Sequence, residues 1–208
     1  MPKTHAKPHP KQPSVADDRR MRGYTLPELM ISLAIIVILL TIGTSSYQSI
    51  TWSNRISLEI NDLRGHIELA RSEALKRGLT VIMCPSTDEA SCASERTSWS
   101  AGWIIFATND TTSGGCKATN SAASGNILIK KRQAFTSSDT AIYNPTTSGN
   151  HSLCFTRMGL LASAYTGWFS FNVAPAVAAY NRCISLATSG RADIVRNGDV
   201  VRSGVNCS

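Results

Sequence analysis

The chain has none of the short patterns that concentrate catalytic chemistry. It contains no Gly-x-Ser-x-Gly elbow, no glycine-rich phosphate loop and no Cys-x-x-Cys pair. Acyl transfer by that route, nucleotide hydrolysis and a thioredoxin-like redox centre therefore find no support. His5, His9, His66 and His151 are scattered, and none stands at zinc-finger spacing from a cysteine pair, so neither a metal nor a cofactor is expected, and no enzyme. Acid is scarce too. Residues 111–192 hold Asp139 alone against Lys117, Lys130, Lys131, Arg132, Arg157, Arg182 and Arg191, a net of +6. Charge of either sign is missing from Leu29 to Asn54, a run of 26 residues, enough to cross the roughly 30 Å of a bilayer's hydrocarbon.

The charge that is present is unevenly placed. Of the formal +7, the arm Met1–Gly23 accounts for a net of +4, leaving +3 for Tyr24–Ser208. Positive charge beside an apolar span stays cytoplasmic, which gives the arm a topological role; a basic, Pro-rich tail can alternatively serve as a nucleic-acid arm. An ordinary secretory signal is cut at a small residue beyond its hydrophobic segment. Here the small residue, Gly23, precedes that segment and is followed by Tyr24-Thr25-Leu26-Pro27-Glu28-Leu29. Pro27 falls in the first helical turn, where its missing N–H costs little.

Beyond the uncharged run, Ile56, Ile60, Leu63, Ile67, Ala70 and Ala74 recur at steps of four and three, which draws one apolar stripe along a helix. Lys76 and Arg77 suit the negative end of its dipole, and Gly78 supplies a left-handed cap. A helix from Tyr24 to Arg77 would be about 80 Å long at 1.5 Å per residue. The remainder reads as strands over 79–84, 102–107, 126–135, 153–156, 168–173 and 182–188, separated by Ser, Thr, Asn and Gly. Residues 108–125 read as a loop, and 173–179 as a turn of helix limited by Pro175. Ser189-Gly190 and Asn197-Gly198 are turn signals, the second predicting a type I′ hairpin.

Cys84, Cys92, Cys116, Cys154, Cys183 and Cys207 all follow the apolar run. An even count on the exported side of a membrane reads as disulfides. Spacing favours Cys84 with Cys92 and Cys183 with Cys207, leaving Cys116 with Cys154, one of fifteen connectivities. Closing each shorter loop stabilises the fold by about 2.5–3.5 kcal/mol on the chain-entropy estimate.

The Gly23 junction, the single acid and the uninterrupted apolar run together resemble the class III leader of type IV pilins and of the pseudopilins of type II secretion. Within the globular part, five segments resemble the GspH/FimT group of minor pilins. They are Leu69-Ala70-Arg71-Ser72-Glu73-Ala74 with Arg77; Cys84-Pro85-Ser86 with Cys92; Trp99-Ser100-Ala101-Gly102-Trp103-Ile104-Ile105-Phe106; Cys183-Ile184-Ser185-Leu186; and Thr188-Ser189-Gly190-Arg191. The resemblance spans nearly all of Tyr24–Ser208 and is weakest over 108–125. Its implied fold is α+β, a long N-terminal helix packed on an antiparallel sheet. The implied organisation is a leader at 1–23, a transmembrane and assembly helix at 24–50, its amphipathic continuation at 51–78 and a β-rich domain at 79–208.

The resemblance further implies a prepilin peptidase that cuts between Gly23 and Tyr24 and methylates the new amine. Glu28 then neutralises the amine of Tyr24 on a neighbouring subunit during assembly. As a helix N-terminal acid it is also favoured by the macrodipole alone. The implied partners are other major and minor pilins and the inner-membrane assembly platform, with no enzyme activity. The implied location is the inner membrane, single-pass with a periplasmic domain, and then the pilus fibre. A minor pilin at or near the tip would prime fibre growth for twitching motility, adhesion and DNA uptake. An H-type pseudopilin of type II secretion shares the pattern, and an anchored protein unrelated to pili would keep residues 1–23. Some FimT-type pilins bind DNA through a C-terminal Gly-Arg-x-Arg motif. This chain has Gly190-Arg191-Ala192-Asp193, an aspartate where a phosphate contact is expected. Arg191, Arg182, Arg196, Lys130, Lys131 and Arg132 are the candidates for such contact; Trp103 and Ile105 read as core, and Gly190 as a turn residue.

Overall fold

The computed structural model describes residues 23–93, 98–109, 116–117, 121, 125–201, 204 and 206–207, without the side chains of 42–46. All of the expected leader 1–23 except Gly23, and most of the loop over 108–125, lie outside these. The chain divides into two units, Met1–Ser45 and Ser46–Ser208.

Helix α1 runs from Leu26 to Arg77. The Thr25 carbonyl accepts the first bonds, from the N–H groups of Glu28 (3.1 Å) and Leu29 (3.2 Å). At the far end Gly78 adopts φ +62° and donates to the Ala74 carbonyl at 3.0 Å. That left-handed geometry costs glycine nothing and stops the helix.

Among the described residues eight strands follow: β1 (Thr80–Pro85), β2 (Gly102–Thr108), β3 (Ile127–Gln133), β4 (Thr140–Pro145), β5 (Leu153–Phe155), β6 (Gly167–Asn172), β7 (Arg182–Leu186) and β8 (Ala192–Arg196). They form two antiparallel sheets rather than one, ordered β3-β2-β1-β5 and β4-β6-β7-β8. Alternation explains how each sheet packs. Along β1 and β2, Val81, Met83, Trp103, Ile105 and Ala107 enter the main core, while Ile82, Cys84, Ile104 and Phe106 point the other way into a second cluster with Cys154. From the second sheet Phe169, Phe171, Ile184 and Leu186 reach the main core. All six stripe residues of α1 are buried there as well. Trp99, on a 3-10 turn just before β2, stands edge-on to Phe169 at 4.8 Å and to Tyr143 at 6.1 Å.

Two of these strands, β4 and β8, fall outside the runs the sequence predicts. β4 buries Ala141 and Tyr143 and leaves Ile142 exposed, a pattern in which one of the two core positions is too small to stand out. β8 has only Ile194 and Val195 between charged residues. The expected Asn197-Gly198 hairpin is also corrected. β7 and β8 are joined through Ser189-Gly190, with Gly190 at φ +79°. At the second site Asp199 donates to the Arg196 carbonyl at 3.1 Å, and of the two central residues only Gly198 has positive φ, at +86°. A type I′ turn needs both positive; one positive residue in the second place is the type II signature. The chain then pairs Val200 with Asn206 instead of returning along β8.

Candidate functional site

At its N-terminal end the described chain presents a simple geometry. Gly23 and Tyr24 precede the helix, Tyr24 is 76% exposed, and nothing lies within 4 Å of where a Cβ on Gly23 would stand. Glu28 is the acid of the first turn, near the positive end of the helix dipole, and its carbonyl accepts the Ser32 hydroxyl at 2.7 Å. Beyond it Leu29, Met30, Ile31, Leu33 and Ile35 through Leu40 are all exposed. A helix apolar on every side belongs in lipid or among other helices. Among the described residues no helix is long and apolar enough to cross a membrane; residues 42–46, which continue the uncharged run, have no described side chains.

The six candidate cations are not gathered into one patch. Lys130, Lys131 and Arg132 lie on β3, an edge of the first sheet, while Arg182 and Arg196 face each other across β7 and β8 of the second. Arg191 stands at the opposite end of that hairpin, where Leu186 pairs with Ala192. Several are already engaged. Arg191 Nε is 2.7 Å from Asp193, Lys131 Nζ is 3.5 Å from Glu89, and Arg132 Nε is 2.6 Å from Asp62. The Arg132 guanidinium also lies 5.5 Å from the Trp103 ring and 5.6 Å from Phe135, an arrangement that favours a cation over the ring faces. Its role here is packing as much as charge.

Two polar clusters bring together residues far apart in sequence or without a sequence motif. In the first, Asp139, whose side chain is fully buried, accepts from Arg55 Nε at 2.5 Å, Arg55 Nη2 at 2.7 Å and the Ala174 N–H at 2.7 Å. Ser137 links it to Glu59, donating its hydroxyl to Oε1 at 2.6 Å. Glu59 Oε2 is buried without a partner, and burial pushes its carboxyl above the ordinary value, with the Asp139 charge adding to the effect against the Ser137 bond. The one signal for this cluster was Asp139 as the lone acid across 111–192. In the second, His66 packs edge-on to Trp103 at 5.6 Å and lies 3.6 Å from Asp62, beyond hydrogen-bonding reach. Burial holds its imidazole below the ordinary value, and the Lys130 and Arg132 charges push the same way against Asp62.

Disulfides join Cys84 to Cys92, Cys116 to Cys154 and Cys183 to Cys207. Because Ile82 pairs with Cys154, Cys84 and Cys154 are diagonal neighbours on one face of the first sheet. The first two bridges therefore staple their loops side by side over the cluster of Ile82, Ile104 and Phe106. The third bridge closes the C-terminal segment over Val195 and Trp168. Among the described residues no group of three metal-ligating side chains occurs.

The described chain is thus a helix preceded by a Gly–Tyr junction, with one acid in its first turn and an exposed apolar length, followed by disulfide-stapled antiparallel sheets. Two family models match the chain: the prokaryotic N-terminal methylation motif over residues 18–44, and the type II transport protein GspH over residues 59–190. The chain belongs to the GspH family, and its architecture is α+β. Two crystal structures of the type IV minor pilin FimU of Pseudomonas aeruginosa strain PAO1 are similar to it. In one crystal form the identity is 20%, the coverage 68% of this chain and 88% of that one, and the TM-score 0.49. In the other the values are 22%, 64%, 87% and 0.43. No curated protein matches the chain significantly.

Proposed function

We propose that this GspH-family chain is a minor type IV pilin, cut between Gly23 and Tyr24 by a prepilin peptidase, methylated on the new amine and assembled with other pilins at or near a fibre tip. Before assembly it is held in the inner membrane by its uncharged helix, with the domain outside the cytoplasm; afterwards it lies in the fibre at the cell surface. The observation that carries the reading is the placement of Glu28. It is the sole acid of α1 before Glu59, and it stands immediately ahead of an apolar length exposed on all sides. A carboxylate at the edge of hydrocarbon is costly unless paired. The freed amine of Tyr24 on an adjoining subunit is the partner that processing creates.

The family's own description favours a second reading, a pseudopilin of type II secretion. Both machines need the same processing, so the first test is shared and the second separates them. Mass spectrometry of the protein from membranes is expected to show a chain beginning at methylated Tyr24; a chain still carrying residues 1–23 overturns both readings. Deletion of the gene is then expected to reduce surface pili while leaving protein secretion intact. The opposite outcome assigns the chain to secretion.

A further inference from the structure

Between β6 and β7 the chain makes a turn unlike its other loops. Ala174-Pro175-Ala176-Val177-Ala178-Ala179 carries no charge and no polar side chain, and Pro175, Ala176, Ala178 and Ala179 are exposed. Exposure here is not fraying, because the base of the turn is fixed on all sides. Arg55 Nη2 donates to the Ala174 carbonyl at 2.7 Å, and the Ala174 N–H donates to buried Asp139 at 2.7 Å. The Val173 N–H donates to Asn181 Oδ1 at 3.3 Å, while Arg182 Nη1 donates to the carbonyls of Ala179 (3.1 Å) and Asn181 (2.8 Å). The tip is thus a held, uncharged protrusion.

Its surroundings match one environment. Tyr180, closing the turn, packs 6.1 Å from Trp52 on α1. Trp52 is two residues from the end of the uncharged run at Asn54, and Arg55 is the first charge beyond it. That is where a helix leaves hydrocarbon, and Trp and Tyr are enriched at that level. Arg182 follows Tyr180 by two residues and pairs across the sheet with Arg196, so two cations stand just behind the apolar tip. Apolar side chains entering a bilayer surface with Arg behind them, level with phosphate, is how interfacial surfaces bind anionic membranes.

We propose that the turn Ala174–Ala179, with Trp52 and Tyr180, is a membrane-interface surface. It seats the domain on the headgroup region of an anionic bilayer, with Arg182 and Arg196 facing lipid phosphate, while the subunit waits to be assembled. The inference rests on the membrane-anchored reading above, and its test separates the two.

The test uses the full chain reconstituted in phosphatidylcholine vesicles with or without phosphatidylglycerol, a fraction of the lipids brominated in their acyl chains. Three reporters are read against the wild-type emission: Val177→Trp in the turn, Ala34→Trp in the apolar run and Met158→Trp on an exposed loop elsewhere. The expected result is a blue shift and loss of emission by brominated lipid for Val177→Trp and Ala34→Trp, and neither for Met158→Trp. The Val177→Trp signal should weaken without phosphatidylglycerol, and Arg196→Gln, which leaves the Arg182 bonds to the turn in place, should weaken that dependence. If Ala34→Trp is quenched while Val177→Trp behaves as Met158→Trp, the interface is refuted and the anchor stands. If neither is quenched, both fall. A shift at Val177→Trp that appears only in assembled fibres identifies a neighbouring subunit as the occupant and overturns the proposal.

Discussion

Glu59 and Asp139 are two carboxylates in one buried cluster with one arginine between them, and the imbalance sets a pH dependence. Asp139 takes both Arg55 bonds, while Glu59 has only Ser137. The Glu59 carboxyl titrates above its ordinary value of 4.5, so the folded chain binds more protons than the unfolded one just above that pH. Stability from this group is complete below about pH 4.5 and declines as pH rises through the folded value. Glu59→Gln mimics the protonated acid, placing an N–H where Oε2 now lacks a partner. It is expected to stabilise the chain by about 1 kcal/mol at pH 7 and to have no effect near pH 4, read by urea titration at both. His66 works the other way: its lowered value costs stability as pH falls through 6.5. The Arg191–Asp193 pair supports a different prediction. Asp193→Arg frees Arg191 and restores a second cation to the Gly190 turn. The full chain in detergent should then bind duplex DNA with a log-affinity slope against log salt steeper by about 0.9 per phosphate gained. An unchanged slope removes these residues from any nucleic-acid role.

At the scale of elements, the α1 stripe gives the sharpest contrast between buried and exposed apolar residues. Leu63 is fully buried, while Leu58, on the same helix, is 73% exposed. Leu63→Ala should cost about 2–5 kcal/mol, and Leu58→Ala less than about 0.5 kcal/mol, measured by thermal or urea unfolding. Gly190→Ala meets two obstacles at once: φ is +79°, and the new Cβ would lie 2.7 Å from the Gly159 carbonyl oxygen and 3.0 Å from Arg71 Cδ. A loss of about 1–3 kcal/mol is expected; a neutral result would show that the β7–β8 turn is not held by this contact. What was legible in the sequence follows the same physics. The stripe could be read because a 3.6-residue period recurs over five turns, and β1, β2 and β6 because alternating large side chains mark both faces. β4 and β8 could not, since Ala141 and Ala192 fill core positions that a pattern search assigns to nothing. The division into two sheets is invisible locally, as it depends on which strands pair over long separations. The Glu59–Asp139 cluster was hidden for the same reason: its members are 80 residues apart.

For the whole molecule, the decisive question is whether Glu28 serves its own helix or another subunit. If it only complements the dipole of α1, its removal weakens one helix end by about 0.3–1 kcal/mol, which a helix of 52 residues tolerates without loss of fold or function. If it pairs with the amine of Tyr24 on an adjoining chain, removal leaves that amine unmatched at the lipid boundary, where an unpaired charge costs up to about 3 kcal/mol. A loss of that size lowers the joining equilibrium by roughly two orders of magnitude, because every 1.4 kcal/mol is tenfold. The predicted behaviour of Glu28→Ala is therefore specific: cleavage at Gly23 and methylation of Tyr24 continue, the domain keeps its disulfides, and the protein accumulates in membranes while sheared fibres lack it. Glu28→Asp keeps the charge on a shorter arm and should recover part of the incorporation. Immunoblots of the membrane and fibre fractions, with the N-terminal mass determined for each variant, read all of this in one experiment. Wild-type levels of Glu28→Ala in fibres would reduce Glu28 to a helix-terminal acid and leave the apolar face of α1 as the sole driver of assembly.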